Sequence, residues 1–220
     1  DINELMAERL PDEHAGQQQI APYLGRAAIG GEPHLVFAAC GEHTLDTYLS
    51  RGAEGRRELA RALDVDDNDD GGSELARRVL HDTLSALAFV HARGIVHRDV
   101  KPENLVVDAD QHCLRLIDFG SACDAAGWLV RRGYRPDRVP CSVLYVPPEE
   151  ALELRAPYTF DVYSAAMVYL GVAVPSLAES EEALFAFRMQ LRGFGHDPEA
   201  WRAQAEAEEA EAEEAGAEEV

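Results

Sequence analysis

Apolar residues recur along this chain in short blocks set apart by Gly, Pro and acidic residues, and the period of each block predicts its element. The opening DINELMAERL reads as a helix, ended by the Gly-, Pro- and Gln-rich stretch from Pro11 to Pro22. Tyr23 to Ile29 and His34 to Ala39 read as two strands, with Gly30-Gly31 as the tight turn between them. Leu45 to Leu49 predicts a short helical turn. Asp64 to Gly72 has no apolar periodicity and reads as a solvated acidic loop. Ser73 is then the expected N-cap of a long helix, with Glu74 in its first turn and Leu80, Leu84 and Leu87 at helical spacing, and Gly94 stops it. Short strands at Leu105 to Val107 and Leu114 to Ile117 flank a polar turn at Asp108 to Gln111, and another helix runs from about Phe160 to Gly171. The final Ala/Glu alternation has high helix propensity but no apolar face, so it reads as an exposed helix or disordered tail. No segment repeats another.

At 220 residues and 46% hydrophobic content, the chain has enough apolar mass for one core. Its net charge of −21 argues against a nucleic-acid or anionic-membrane surface, since both need a basic patch. Much of that charge is local: eight Glu lie within Ala203 to Val220 and five Asp within Asp64 to Asp70. Cys40, Cys113, Cys123 and Cys141 form no CxxC pair and no metal-ligand spacing, and read as reduced thiols of an intracellular protein. No apolar run approaches the roughly 18 residues a membrane span needs, and no basic-apolar signal segment opens the chain. Because the first residue is Asp1, the sequence reads as a piece of a longer chain.

The informative stretch is GIVHRDVKPENLVV, followed fourteen residues after Asn104 by Asp118-Phe119-Gly120. Nine fixed positions at this spacing leave coincidence no room. Through HRDxKPxN and DFG the chain resembles the eukaryotic-type Ser/Thr protein kinases. The resemblance implies an α+β, bilobal protein-kinase-like fold with a mostly helical large lobe and a partial small-lobe sheet. It also implies ATP and Mg²⁺ as cofactors and the Ser/Thr hydroxyls of a protein substrate as acceptors. Phosphoryl transfer passes through a loose transition state, so the enzyme mainly positions the hydroxyl and neutralises phosphate charge. On that basis Asp99 orients the acceptor hydroxyl and takes its proton, while Lys101 offers its charge to the γ-phosphate. Asn104 and Asp118 present oxygens to Mg²⁺, a hard cation that prefers them. His97 reads as a structural hydrogen-bonding residue and Phe119 as packing. Arg98 is either a surface charge or, as in many relatives, the receiver of an activation-segment phosphate.

Other positions follow from the same resemblance. SVLYVPPE resembles the end of an activation segment, with Pro147 where the family usually has alanine and Ser142 where its members bond the catalytic Asp and Lys. FDVYS places Asp161 where the family uses an aspartate to hold the catalytic-loop backbone. LVFAACGEHTLDTYL resembles the strand and hinge that meet adenine. There Phe37 limits pocket depth, the backbone of Ala38 to Cys40 meets the adenine edge, and Val106 forms the floor. Glu4 is the candidate partner of the ATP-binding lysine, but neither that lysine nor a glycine-rich loop occurs in these 220 residues. The expected division is 1–41 for a partial small lobe and hinge, 42–202 for the large lobe with its acidic loop at 64–72, and 203–220 for the tail.

Over most of residues 74 to 202, GIVHRDVKPEN, FDVYSAAMVYLGVAVPSL and LFAFRMQLRGFGHDPEAWR are similar to the chloroplast thylakoid kinases of the state-transition type. That resemblance points to the chloroplast. Two readings compete with an active protein kinase: a pseudokinase scaffold, and a small-molecule phosphotransferase with a kinase-like loop. Intact Asp99, Lys101, Asn104 and Asp118 oppose the first, and Lys101 with the PPE segment opposes the second. Without a lysine and glycine-rich loop over the phosphates, the 220 residues alone are expected to be inactive or nearly so.

Overall fold

A computed structural model describes residues 16–66, 72–125, 144–148, 155–177, 180–197, 199–204 and 207. The opening helix, Glu4, the centre of the acidic loop, Cys141, Ser142, Glu149 and nearly all of the tail lie outside these residues. The first element is an antiparallel hairpin of β1 (Tyr23–Ile29) and β2 (Glu32–Phe37), paired from Ile29↔Glu32 back to Tyr23↔Phe37 with one bulge near Gly25. The turn residues Gly30 and Gly31 have φ of 62° and 90°, the two positive values that a twist-matched two-residue turn demands. The hairpin buries little: Leu24, Ile29, Leu35 and Phe37 all stay exposed.

Helix α1 (Leu45–Leu49) is capped by Thr44, whose hydroxyl accepts from Thr47 N. Helix α2 (Gly52–Ala62) was not expected from the sequence. Its buried face is Gly55, Leu59 and Ala60, continued by Leu63, a narrow stripe on a helix otherwise rich in Arg and Glu.

The core is organised around α3 (Ser73–His91), which packs along α4 (Thr159–Ala173). Two expectations for α3 are corrected. The N-cap position is Gly72, and Ser73 is the first helical residue. The buried face runs through Leu75, Ala76, Val79, Asp82, Thr83, Ala86, Leu87 and Val90, whereas Leu84 is exposed and Leu80 only half-buried. Small and polar residues can occupy a core face when their polar atoms are satisfied. Thr83 donates to Val79 O at 2.7 Å. The Asp82 carboxylate takes the Leu114 N–H at 3.0 Å and Arg78 Nε at 3.2 Å, which ties α3 to the sheet beside it.

Two small ribbons follow. β3 (Ile95–Val96) pairs with β6 (Cys123–Asp124), and β4 (Leu105–Asp108) pairs with β5 (Cys113–Leu116), both antiparallel. The pairing is nested: the outer ribbon joins the first and last strands, the inner ribbon the middle two. The loop after β3 and the loop before β6 must therefore face each other. Helix α5 (Glu181–Gly193), capped by Ser180 Oγ on Ala183 N, packs through Leu184, Phe187 and Leu191 against Met167 of α4.

Candidate active site

The nested ribbons bring together two segments far apart in sequence. Residues 97–104 connect β3 to β4 and residues 117–122 connect β5 to β6, and they are cross-linked along their length. Ile117 N donates to Asn104 O at 3.0 Å, His97 Nε2 meets Ile117 O at 3.0 Å, and Arg98 Nε donates to Ser121 O. Phe119 is buried with its ring edge-on to His97, centroids 4.8 Å apart.

His97 is fully buried, and its two nitrogens have different jobs. Nε2 donates to Ile117 O, while Nδ1 faces the Asp99 N–H at 3.3 Å and can only accept it. This pattern requires the neutral ring. Burial pushes its pKa below the ordinary value, against the pull of Asp161, the Ile117 carbonyl, Asp99 and Asp118. A neutral, hydrogen-bonded His97 matches the structural role expected for it.

The backbone of this loop hangs from one carboxylate. Asp161, at the start of α4 and fully buried, accepts the His97 N–H and the Arg98 N–H at 2.8 Å each, one on each oxygen, and pairs with His91 Nε2 at 2.8 Å. It holds Arg98 at φ 67°, a conformation that costs a non-glycine residue roughly 1–2 kcal/mol.

Beyond Arg98 the chain presents Asp99, Lys101 and Asn104 to one space. Asn104 Nδ2 donates to both Asp99 O and Asp99 Oδ2, at 2.8 and 3.0 Å, and Lys101 Nζ lies 3.0 Å from the same Oδ2. Burial pulls the Lys101 ammonium down, but the hydrogen bond and charge of Asp99, with Glu103 and Asp118, outweigh it and leave its pKa above the ordinary value. Lys101 is thus a firm cation. Both Asn104 amide contacts run through nitrogen, so its Oδ1 is the end left to face a metal. Asp118 is exposed, at φ 59°, with Oδ1 accepting from Gly120 N at 3.1 Å. No group of three or more His, Cys, Asp or Glu able to hold a metal occurs among the described residues. One oxygen each from Asp118 and Asn104 would suit a hard cation whose other ligands are phosphate oxygens and water.

The segment from Ala38 to Thr44 lies against β4. Ala38 N–H donates to Pro22 O at 2.8 Å, and Val107 N–H donates to His43 O at 3.0 Å. A side chain at Gly41 would overlap the Val107 carbonyl and come within 2.8 Å of Val106 Cγ1, so Val106 lies directly under the turn. Phe37 is 37% exposed, its ring 5.5 Å from that of Tyr23, and Cys40 is half-buried with its thiol pKa raised by burial. Beside the 97–104 loop, a cavity of about 840 Å³ is lined by Pro102, Glu103, Tyr145, Asp46, Leu184 and Glu181, among others. Neither Asp118 nor any residue of the Ala38–Thr44 turn lines it.

The protein kinase domain family matches residues 31–190. The chain belongs to this family. This kinase-family chain is 33% identical over 150 residues to the chloroplastic serine/threonine-protein kinase STN8 of Arabidopsis thaliana, covering 58% of its own length and 29% of that relative. It is 27% identical over 170 residues to the chloroplastic kinase STN7 of the same plant, covering 67% of itself and 30% of that relative. The crystal structure of an Stt7 homologue from Micromonas algae, soaked with ATP, matches it with a TM-score of 0.76 at 26% identity. That match covers 96% of this chain and 66% of the other, and it establishes the protein kinase fold. The chain thus spans less than a third of the curated relatives named here.

Sequence reasoning missed two contacts of the site. His91 pairs with Asp161 across 70 positions, and Arg188 of α5 reaches Val146 O at 2.6 Å. Neither has a local signal, because each partner is set by helix packing.

Proposed function

We propose that this chain carries the catalytic centre of a serine/threonine protein kinase, transferring the ATP γ-phosphate to a Ser or Thr hydroxyl of a protein substrate. The observation that supports this best is the Asp99–Lys101–Asn104 cluster: the Asn104 amide and the Lys101 ammonium both converge on Asp99 Oδ2. Asp99 orients the acceptor hydroxyl and takes its proton. Lys101 brings its charge to the phosphoryl oxygens. Asn104 and Asp118 are the residues that would hold Mg²⁺, whose chemistry is to screen the β- and γ-phosphate charge. The adenine side falls to Phe37, Ala38, Cys40 and Val106. Ser142 at the acceptor site, Glu4 as partner of an ATP-binding lysine, and Arg98 as receiver of a phosphate belong to the same proposal. So does the division into 1–41 and 42–202.

The printed names of STN8 and STN7 support a chloroplast setting for this chain. Among the described residues no helix is long and apolar enough to cross a membrane.

The test uses the gene product at its full encoded length, with radiolabelled ATP and dephosphorylated casein. Asp99→Ala is expected to abolish transfer while ATP still binds, and Asp118→Ala to weaken Mg²⁺-ATP binding as well. Transfer near wild type in Asp99→Ala overturns the assignment, and a wild-type protein that binds nucleotide without transferring phosphate is a pseudokinase.

A further inference from the structure

Residues 144–148 form neither helix nor strand, so their buried carbonyl groups need partners from elsewhere. Two consecutive carbonyls find them on two different helices. Ser164 Oγ of α4 donates to Tyr145 O at 2.8 Å, and Arg188 Nη2 of α5 donates to Val146 O at 2.6 Å. Ser164 is buried, and Val146 and Pro147 are buried beside it. The segment they hold faces the catalytic loop: Leu144 and Tyr145 line the same cavity as Pro102 and Glu103, and Glu103 is the neighbour of Asn104. Any polypeptide that brings a hydroxyl to Asp99 from this side runs along the wall made by residues 144–148.

Resting on the kinase reading above, we propose that Arg188, together with Ser164, is a positioning residue for the protein substrate, fixing the 144–148 wall against which the acceptor segment lies. A guanidinium on a neutral carbonyl is a charge-assisted bond from a planar donor, stiffer than a neutral pair. Among the described residues Arg188 makes no ion pair. Ser164 fixes the preceding carbonyl, so two adjacent peptide units are pinned to the two helices that pack through Met167, Leu184 and Phe187. The polar contacts of the two side chains run to Tyr145 O, Phe160 O and Val146 O. Their effect therefore falls on the acceptor and not on ATP.

The test has two arms. In the full-length gene product with casein as acceptor, Arg188→Gln is expected to raise KM for casein roughly tenfold, the worth of one charge-assisted hydrogen bond, while KM for ATP stays within about twofold. Arg188→Lys, which keeps the charge and one donor, restores part of the loss. In the 220-residue chain, hydrogen exchange at the amides of Leu144, Tyr145 and Val146 is expected to quicken in Arg188→Gln, with exchange in α3 unchanged. Should Arg188→Gln fail to fold, Ser164→Ala gives the same two readouts at Tyr145. A fall in kcat with KM for casein unchanged, a parallel rise of both KM values, or unchanged exchange at Leu144, Tyr145 and Val146 overturns the proposal. A wild-type protein that leaves casein unlabelled counts against the kinase reading, and the exchange arm still decides the wall.

Discussion

Asp161 is the residue whose loss is expected to cost most. Both of its oxygens are committed to the loop that carries Asp99, at 2.8 Å from His97 N and Arg98 N, and no part of it reaches solvent. Asp161→Ala leaves two buried N–H groups without an acceptor, and each such group costs roughly 1–3 kcal/mol. His91 loses its partner as well. Against this stands relief at Arg98: once released, its φ of 67° can relax and return about 1 kcal/mol. The balance is a loss of about 3 kcal/mol, a large share of the ~5–15 kcal/mol that holds a domain together.

The more discriminating variant is Asp161→Asn, which keeps shape and volume. An amide has one oxygen, so its NH₂ must point at one of the two backbone N–H groups, donor against donor. The expected cost is about 2 kcal/mol from a change of one atom and one charge. Urea unfolding of the 220-residue chain, read by far-ultraviolet circular dichroism, measures both variants, with m constant if only the folded state is affected. An Asn variant within about 0.5 kcal/mol of wild type would refute the reasoning, because the hold on the loop would then not depend on two acceptors.

Two further perturbations test the neighbouring supports. Gly41→Ala pushes a methyl group into the Val107 carbonyl and should lift the turn off β4; a fluorescent ATP analogue is expected to bind roughly tenfold more weakly, and unchanged binding would mean the turn does not rest there. His97, whose pKa burial holds below 6.5, makes the unfolded chain the better proton binder as pH falls, so its contribution is complete above pH 6.5 and is lost below it. Stability measured from about pH 8 to about pH 5.5 should fall at the acid end, and His97→Asn should flatten that part of the curve; an equal slope in the variant assigns the loss to other groups.

What could be read from the sequence was local. The hairpin was legible because Gly30-Gly31 fixes the turn and apolar runs flank it, and the HRD and DFG segments because their spacing is fixed. Helix α3 was found, but of the leucines read at helical spacing only Leu87 is fully buried, and Ala76 and Thr83 share the core face with it. Only the packing of α4 and the sheet shows that the small side chains make the contact. Helix α2 was missed because Gly, Arg and Glu dominate GAEGRRELARA and leave a narrow apolar stripe. The two-residue strands β3 and β6 carry no pattern at all, yet their pairing makes the two motif loops meet. Asp161 was placed by its resemblance to the family, but its bond to His91 and the hold of Ser164 and Arg188 on residues 145 and 146 exist only once helices are packed.

At Gly120 the reason for glycine is proximity. Its backbone makes no demand for positive φ, but a Cβ there would sit 3.0 Å from Asp118 Oδ1, the oxygen that accepts the Gly120 N–H at 3.1 Å. Asp118 is exposed and free to yield, so Gly120→Ala is expected to turn the carboxylate away by a few tenths of an ångström instead of disrupting the core. Fold stability should then change by less than about 1 kcal/mol. Metal binding is less forgiving, because Mg²⁺ demands near-ideal octahedral geometry and, on the proposed reading, Asp118 and Asn104 would hold it. The two outcomes are separable: urea midpoints of wild type and Gly120→Ala should agree, while the gain in ATP affinity on adding Mg²⁺ should shrink in the variant. A variant that keeps the full Mg²⁺ gain would show that the 118–120 contact does not aim the carboxylate, and one that unfolds early would show that the glycine serves the core.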